Sequence, residues 1–193
     1  MAWHLATRLH APLLCGEWSR LLVDLNRSAR SEEVFSEWSA PLSCDQRAAL
    51  LASYHSPWRA RFADMLGEAL DHHPRVLHLS VHSFTPVLNG QQREVDVGWL
   101  FDPKRKWESA LADQLINALQ QRQPGRKIRA NQPYLGTDDG HTTALRPQWP
   151  QDRYAGLEIE VNQALVYGAD WPRLLEDVSE CLLDLLWPGE LGE

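Results

Sequence analysis

Segments typical of helices and segments typical of strands alternate along this chain of 193 residues, and this alternation restricts the fold more than any other feature. In the longest helical segments apolar residues recur at about every fourth position, which indicates that each helix buries one face. Short apolar runs between them are typical of strands. We predict a first short amphipathic helix, helices over residues 50–70, 107–119 and 171–186, and strands over residues 12–15, 20–26, 76–82, 95–101, 127–130 and 156–161.

Local signals predict where some of these elements start or break. Ser43 is followed three residues later by Gln46, which is the pattern of a capping box at a helix start. Pro57 lies inside the helical pattern that follows, so we expect a kink or a break near Ser56. Asp170 is the predicted N-cap of the last helix.

The order of helices and strands predicts an α/β layer fold with a largely parallel sheet. The length suits one well-cored domain and is short for two, so we predict a single domain over residues 1–193. The hydrophobic fraction of 44% and the charged fraction of 23% are those of an ordinary soluble globular protein.

Charge and composition argue against several classes of protein. The net charge of -7 argues against a nucleic-acid binder, which needs a basic surface. No apolar run reaches the ~18 residues of a membrane span. Cys15, Cys44 and Cys181 are widely spaced and form neither a zinc-binding pair nor a disulfide framework, which favours a reducing cytoplasm.

Polar residues near the ends of three predicted strands are the candidates for chemistry. Asn26, His82 and Glu160 each lie near the carboxyl end of a strand, where ligands gather in parallel sheets. His78 shares the strand face of His82 but lies about 13 Å away at ~3.3 Å per residue, so the two cannot bind one metal ion. Taken alone, a histidine in this position is more often a hydrogen-bonded structural residue than a ligand.

The Asn26-Arg27 pair offers an amide beside a guanidinium. Arginine can bind a carboxylate through two hydrogen bonds and a neighbouring amide can add a third, although spacing alone would favour a surface salt bridge. Arg20 is a weaker candidate for a second contact to an anion.

Glu158 and Glu160 point to the same face of their predicted strand, roughly 6–7 Å apart. They project in parallel and do not flank a bond, which argues against a glycosidase. Beside a metal-bound water, one of them could act as general base. The alternative is a solvated sheet face, which the apolar residues between them make less favourable.

Residues 131–143 form a polar, glycine-bearing loop that could cover a site. Asp138, Asp139 and His141 belong to residue types that bind metals, but their spacing matches no metal motif. We therefore interpret them as ordinary loop residues.

Four segments together resemble the N-formylglutamate amidohydrolase family, and they occur in the order found in that family. Singly each is weak, but four in order is a specific signal that spans nearly the whole chain. The segments are SRLLVDLNRS (19–28), HLSVHSFTPVL (78–88), NQPYLGTDDGHTTAL (131–145) and YAGLEIEVNQ (154–163).

The resemblance implies a three-layer α/β fold, with a mixed, largely parallel sheet between helices, like that of the zinc carboxypeptidases and aspartoacylases. It implies zinc-dependent hydrolysis of the N-acyl bond of an acidic amino acid such as N-formylglutamate. His82 would be a zinc ligand and Glu160 the catalytic carboxylate, with Glu158 as the fallback. Asn26 and Arg27 would hold the substrate carboxylate.

The resemblance also implies an earlier strand with a Glu-His segment that would supply the first zinc ligands, and Met1 falls after it. We therefore expect the N-terminal strand to be missing, or the true start to lie upstream. The alternative function is a non-catalytic binding protein that keeps the fold and the carboxylate pocket without a complete metal site. The expected partner is a small N-acyl amino acid, and an exposed sheet edge would invite homo-oligomers.

Overall fold

A computed structural model describes residues 1–187, and in it the chain forms two compact units. The first unit contains Met1–Leu13, Leu77–Thr137 and the described chain from Ala155 onward. The second unit contains Leu14–Val76 and Asp138–Tyr154. The predicted single domain over 1–193 includes residues 188–193, which lie outside the described residues, and it stays a prediction.

The secondary structure alternates as the sequence predicts from residue 44 onward. The helices are α1 (Ala2–Arg8), α2 (Cys44–Leu50), α3 (Ser56–His72), α4 (Lys106–Arg122), α5 (His141–Leu145) and α6 (Trp171–Leu186). The strands are β1 (Val76–Phe84), β2 (Val87–Leu88), β3 (Gln91–Gln92), β4 (Val97–Leu100), β5 (Ile128–Ala130) and β6 (Tyr154–Asn162).

Four strands form a mixed sheet in the order β1-β6-β4-β5. β4 is parallel to β5 and antiparallel to β6. β1 and β6 run in the same direction, because Val76 N–H bonds the Arg153 carbonyl at their starts and the Gln163 amide bonds the Ser83 hydroxyl at their ends. Two of the three pairings are therefore parallel, and the predicted α/β class with a largely parallel sheet is confirmed.

The apolar face of this sheet packs against the helices of the first unit. Along β6 the odd-numbered residues enter the core with residues of β4, because successive side chains of a strand point to opposite faces. Helices α1, α4 and α6 supply the other half of the core. Among the buried residues of this core are Leu5, Val97, Trp99, Leu115, Leu119, Leu157, Ile159, Leu174, Val178 and Leu182.

A buried carboxylate connects α4 to the sheet. Glu108, which is fully buried, accepts the N–H groups of Asp102 at 3.0 Å and Gly156 at 3.1 Å. Its carboxylate also lies 2.9 Å from the guanidinium of Arg105. These contacts compensate for removing the charge from water, which an isolated carboxylate could not tolerate.

The second unit is built on a helix that changes geometry before Pro57. The predicted capping box is present, since Ser43 and Gln46 bond each other's backbone N–H groups at the start of α2. A π-helical turn over Leu51–His55 then leads into α3. Proline has no N–H and interrupts the hydrogen-bond pattern of the preceding turn. At Ser56 the helix therefore changes from π to α geometry without ending, and the predicted kink stays a prediction.

The apolar face of α3 forms a small core of its own. Leu66 and Leu70 pack there with Leu145 of α5 and with Tyr154, all within the second unit. This cluster fixes α5, an element that the sequence did not predict.

Two predicted strands are wrong. Residues 20–26 form turns, because Leu22 N–H bonds the Ser19 carbonyl and Asn26 N–H bonds the Asp24 carboxylate at 2.9 Å. These local bonds use groups that a strand would offer to a neighbour. Residues 12–15 are also irregular, and the Cys15 carbonyl accepts the indole N–H of Trp58.

Residues 85–92, which the sequence marked only as a strand exit and turn, form the β2–β3 hairpin. Its two central residues, Asn89 and Gly90, have φ values of 51° and 76°. An Asn-Gly pair is the preferred sequence for such a turn, because both residues tolerate positive φ.

Asp170 occupies the N-cap position of α6, as predicted, but its side chain makes no capping hydrogen bond. Along residues 1–187, no helix has the length and apolar character that a membrane crossing requires.

Candidate active site

The polar face of the sheet in the first unit carries the histidines and carboxylates that the sequence singled out. His78 and His82 share this face of β1, and Glu158 and Glu160 share it on β6. Glu158 and Glu160 are each only 7% exposed. Buried carboxylates without a function are costly, so their presence on an inner strand favours a site over a solvated face.

His82 lies within a polar group of three side chains. Its Nε2 atom is 2.7 Å from the Ser80 hydroxyl and 3.6 Å from Glu158 Oε2. The ring can thus accept a hydrogen bond from Ser80 or, when protonated, interact with the Glu158 carboxylate. His82 and Glu158 lie on different strands, so spacing along the sequence could not predict this contact.

Most catalytic zinc sites use three protein ligands, and the predicted zinc site would need the same number. Within residues 1–187 no three side chains of His, Cys, Asp or Glu are grouped so that they could hold a metal ion. The described residues therefore do not fit a three-ligand zinc site around His82, and zinc stays a prediction of the resemblance.

Glu160 lies beside a close approach of two backbone segments. It is paired across the sheet with Gly98 of β4. A Cβ atom built on Gly98 would lie 1.8 Å from the carbonyl oxygen of Gln132 and 3.6 Å from the Glu160 Cβ. Only glycine permits this approach, so the Gln132 carbonyl covers the sheet next to Glu160.

The segment 131–136 is held in place by its first residue. The side-chain oxygen of Asn131 accepts the N–H groups of Phe101 at 3.0 Å and Gly136 at 2.9 Å. A Cβ on Gly136 would lie 2.1 Å from the Phe101 nitrogen. Residues 131–136, the first part of the predicted loop, thus pack tightly within the first unit. An isolated glycine inside a predicted strand was the sequence signal that could have revealed this contact.

Asn26 and Arg27 belong to the second unit, where both side chains have defined partners. The Asn26 Oδ1 accepts the N–H of His141 at 2.8 Å, which leaves the amide NH2 to donate elsewhere. The Arg27 guanidinium donates to the Asp139 carbonyl at 2.7 Å and pairs with Glu33 at 2.9 Å.

Two residues that sequence reasoning missed hold this segment from the helices. Arg59 donates to the backbone carbonyls of residues 25–27 at 3.2, 2.9 and 2.7 Å. The ring of His55 lies 2.9 Å from the same Arg27 carbonyl. Burial lowers the pKa of the Arg59 guanidinium, while Asp139 and Asp24 act in the opposite direction. The four-residue spacing of His55 and Arg59 along one helical segment was the available signal.

The remaining candidates have structural contacts within the second unit. Arg20 is 74% exposed and pairs with Asp24 at 2.9 Å. The Asp139 carboxylate accepts the N–H of Ser28, and the His141 ring, 4% exposed as a residue, packs against aromatic rings of α3. These contacts are structural ones, and His141, which was interpreted as a loop residue, begins α5.

The comparison with protein families identifies the class of protein. Residues 2–167 match the family model of N-formylglutamate amidohydrolase. The chain therefore belongs to the N-formylglutamate amidohydrolase family, and the resemblance predicted from the four segments is confirmed.

Two solved structures resemble the fold of this chain. A gene product of Agrobacterium tumefaciens has 27% sequence identity and a TM-score of 0.77, over 96% of this chain and 76% of that chain. N-formylglutamate amidohydrolase from Ralstonia eutropha JMP134 has 19% identity and a TM-score of 0.58, over 91% of this chain and 65% of that chain, and shows likeness of fold. No curated protein matches the chain.

Proposed function

We propose that this protein hydrolyses the N-acyl amide bond of an acidic amino acid such as N-formylglutamate. The observation that carries the proposal is the buried Glu160 carboxylate at the carboxyl end of β6, in a chain that belongs to this family. A carboxylate there, beside the close-packed Gln132 carbonyl, is positioned on a rigid element, as a general base must be.

In this mechanism Glu160 takes a proton from a water molecule whose oxygen attacks the formyl carbon. The bond between that carbon and the amide nitrogen then breaks, and Glu160 passes the proton to the departing nitrogen. The products are formate and the free amino acid. The neighbouring Glu158 and His82, 3.6 Å apart, would contribute charge and hydrogen bonding to the same sheet face.

The resemblance assigns the binding of the substrate carboxylate to Asn26 and Arg27, whose amide NH2 and guanidinium would donate the hydrogen bonds. The competing Glu33 side chain is 69% exposed, and an exposed ion pair of this kind is worth only ~0–1 kcal/mol, so a substrate can displace it. Arg20 stays a weaker candidate, since its exposed guanidinium already pairs with Asp24.

No step of this mechanism uses zinc, because residues 1–187 group no three metal-binding side chains. The zinc implied by the resemblance remains a separate proposal, with His82 as the ligand that this chain would supply. Elemental mass spectrometry of the wild type and His82→Ala tests it. The proposal is supported if the wild type contains about one zinc ion per protein molecule and His82→Ala contains none. It is contradicted if both proteins contain the same amount of zinc.

The two carboxylates of β6 provide a matched pair of variants for the catalytic role. We expect Glu160→Gln to lower kcat for formate release from N-formylglutamate by about 10²–10⁴-fold, the range for a lost general base. Glu158→Gln is the control and should lower it by less than about tenfold, because it removes a neighbouring charge only.

Three other outcomes would change the assignment. A larger loss in Glu158→Gln would move the general base to Glu158. Unchanged hydrolysis in Glu160→Gln would refute its role. Binding of N-formylglutamate without any hydrolysis would support the non-catalytic alternative.

A further inference from the structure

Arg93 is an arginine of the first unit that no ion pair within residues 1–187 neutralises. Its Nη1 donates to the hydroxyl of Tyr134 at 2.8 Å. Other arginines of this unit, such as Arg105 and Arg122, pair with carboxylates. A guanidinium that is left without a carboxylate while being held in place is suited to binding an anion.

Two aromatic rings lie close to this guanidinium. The Arg93 Cζ lies 5.0 Å from the ring centre of Tyr134 and 5.6 Å from that of Phe84. Stacking on aromatic faces leaves the N–H edge of a guanidinium available for two parallel hydrogen bonds to a carboxylate. The side chain therefore needs little further ordering when an anion binds.

The position of Arg93 places it at the edge of the polar sheet face. Phe84 lies two residues beyond His82 on β1, and Asn162 lies two residues beyond Glu160 on β6, each step covering about 6–7 Å. The Asn162 amide donates to the Arg93 carbonyl at 3.5 Å, while the Arg93 N–H bonds the Pro86 carbonyl.

The covering loop reaches Arg93 as well. Tyr134 lies two residues after Gln132, whose carbonyl covers Gly98 opposite Glu160. Strand ends and loop thus bring Arg93 to the sheet face that carries Glu160.

We propose that Arg93 binds the side-chain carboxylate of an acidic N-acyl amino acid and selects it over neutral analogues. The inference rests on the proposed function, because an N-acyl glutamate carries a side-chain carboxylate besides the carboxylate next to its amide.

The test measures binding, so that it does not depend on hydrolysis. Isothermal titration compares glutarate, with two carboxylates, and glutaramate, in which one is a neutral amide. The ratio of the two affinities within one variant cancels any partial loss of folded protein. We expect the wild type to prefer glutarate by about 10- to 100-fold, the worth of a charged hydrogen-bonded pair.

Three variants complete the design. Arg93→Gln should reduce the preference to about threefold or less, and Arg93→Lys should give an intermediate value, because lysine keeps the charge without the planar fork. Arg173→Gln is the matched control in the same unit, since Arg173 is 74% exposed and pairs with Asp177, and it should keep the wild-type preference.

The proposal is overturned if Arg93→Gln keeps the preference, or if the wild type shows none. Hydrolysis of N-formylglutamate is followed separately in the same wild-type preparation. Absence of hydrolysis together with a preference that depends on Arg93 would refute the proposed activity and leave the carboxylate site standing.

Discussion

Replacing Gly98 by alanine tests whether the loop beside Glu160 can approach the sheet only because residue 98 has no side chain. The new Cβ would lie 1.8 Å from the Gln132 oxygen, whereas ordinary contacts begin at 3.4 Å. The obstacle is backbone and not a flexible side-chain tip, and Asn131 ties that backbone to Phe101 and Gly136. The loop or β4 must therefore move by about 1.6 Å, the amount by which the contact falls short.

Overpacking of this kind typically costs about 1–3 kcal/mol of the free energy of unfolding, sometimes more. For a chain of this size each kcal/mol lowers Tm by about 2–4 °C, so calorimetry should show a drop of about 2–12 °C. If the proposed hydrolysis is correct, kcat/KM should fall by about 10²-fold, because a displacement of about 1 Å beside the catalytic group is enough for that.

Gly67→Ala is the matched control. Nothing lies within 4 Å of a Cβ at Gly67, which sits inside α3 without positive φ. Alanine there should raise stability by about 0.5–1 kcal/mol through its better helix propensity. If Gly98→Ala unfolds at the same temperature as the wild type and its crystal structure shows Gln132 unmoved, the argument from close approach is wrong.

Three further predictions concern Glu108, Arg59 and Cys181. Glu108→Ala should destabilise the chain by about 3–5 kcal/mol in urea unfolding, because Arg105 keeps a buried charge without its partner; a loss below about 1 kcal/mol would contradict this. Arg59→Gln should raise KM more than it lowers kcat, since Arg59 holds the backbone of residues 25–27 and not the reacting atoms; a change in kcat alone would refute that role. Burial raises the pKa of the Cys181 thiol from its ordinary value of 9.0 to about 11, with Arg122 opposing the shift. The unfolded chain therefore loses this proton first, and the free energy of unfolding should fall as pH rises from about 9 to 11. If the free energy of unfolding falls equally with pH in Cys181→Ala, another group is responsible.

The sequence predicted best where a single periodicity dominates. The four-residue repeat of α3 and α4 and the period of two in β1 and β6 each arise from one face being buried, so the pattern alone defines the element. It failed at residues 20–26, where an equally apolar run forms turns. Asp24 bonds the backbone of Asn26 there, and such competition between side chain and backbone leaves no mark in hydrophobic patterning.

Site residues on one element were also easier to predict than those that act across elements. Glu158, Glu160 and His82 could be assigned to strand faces from alternation. Two contacts join segments more than 30 positions apart: that of Gln132 with Gly98 and that of Arg59 with residues 25–27. A single sequence, considered without its relatives, contains no spacing that pairs these residues. Only the folded chain reveals such partners.

The same strand thus sets both the core and the chemistry of the first unit. On β6 the odd residues Leu157 and Ile159 enter the apolar core, and the even residues Glu158 and Glu160 face the polar side. A slip of register by one residue would exchange the two sets, burying carboxylates among leucines. Packing of α4 and α6 on the odd positions therefore fixes where the carboxylates point. Because Gly98 is the register partner of Glu160, the loop above it is fixed by the same pairing.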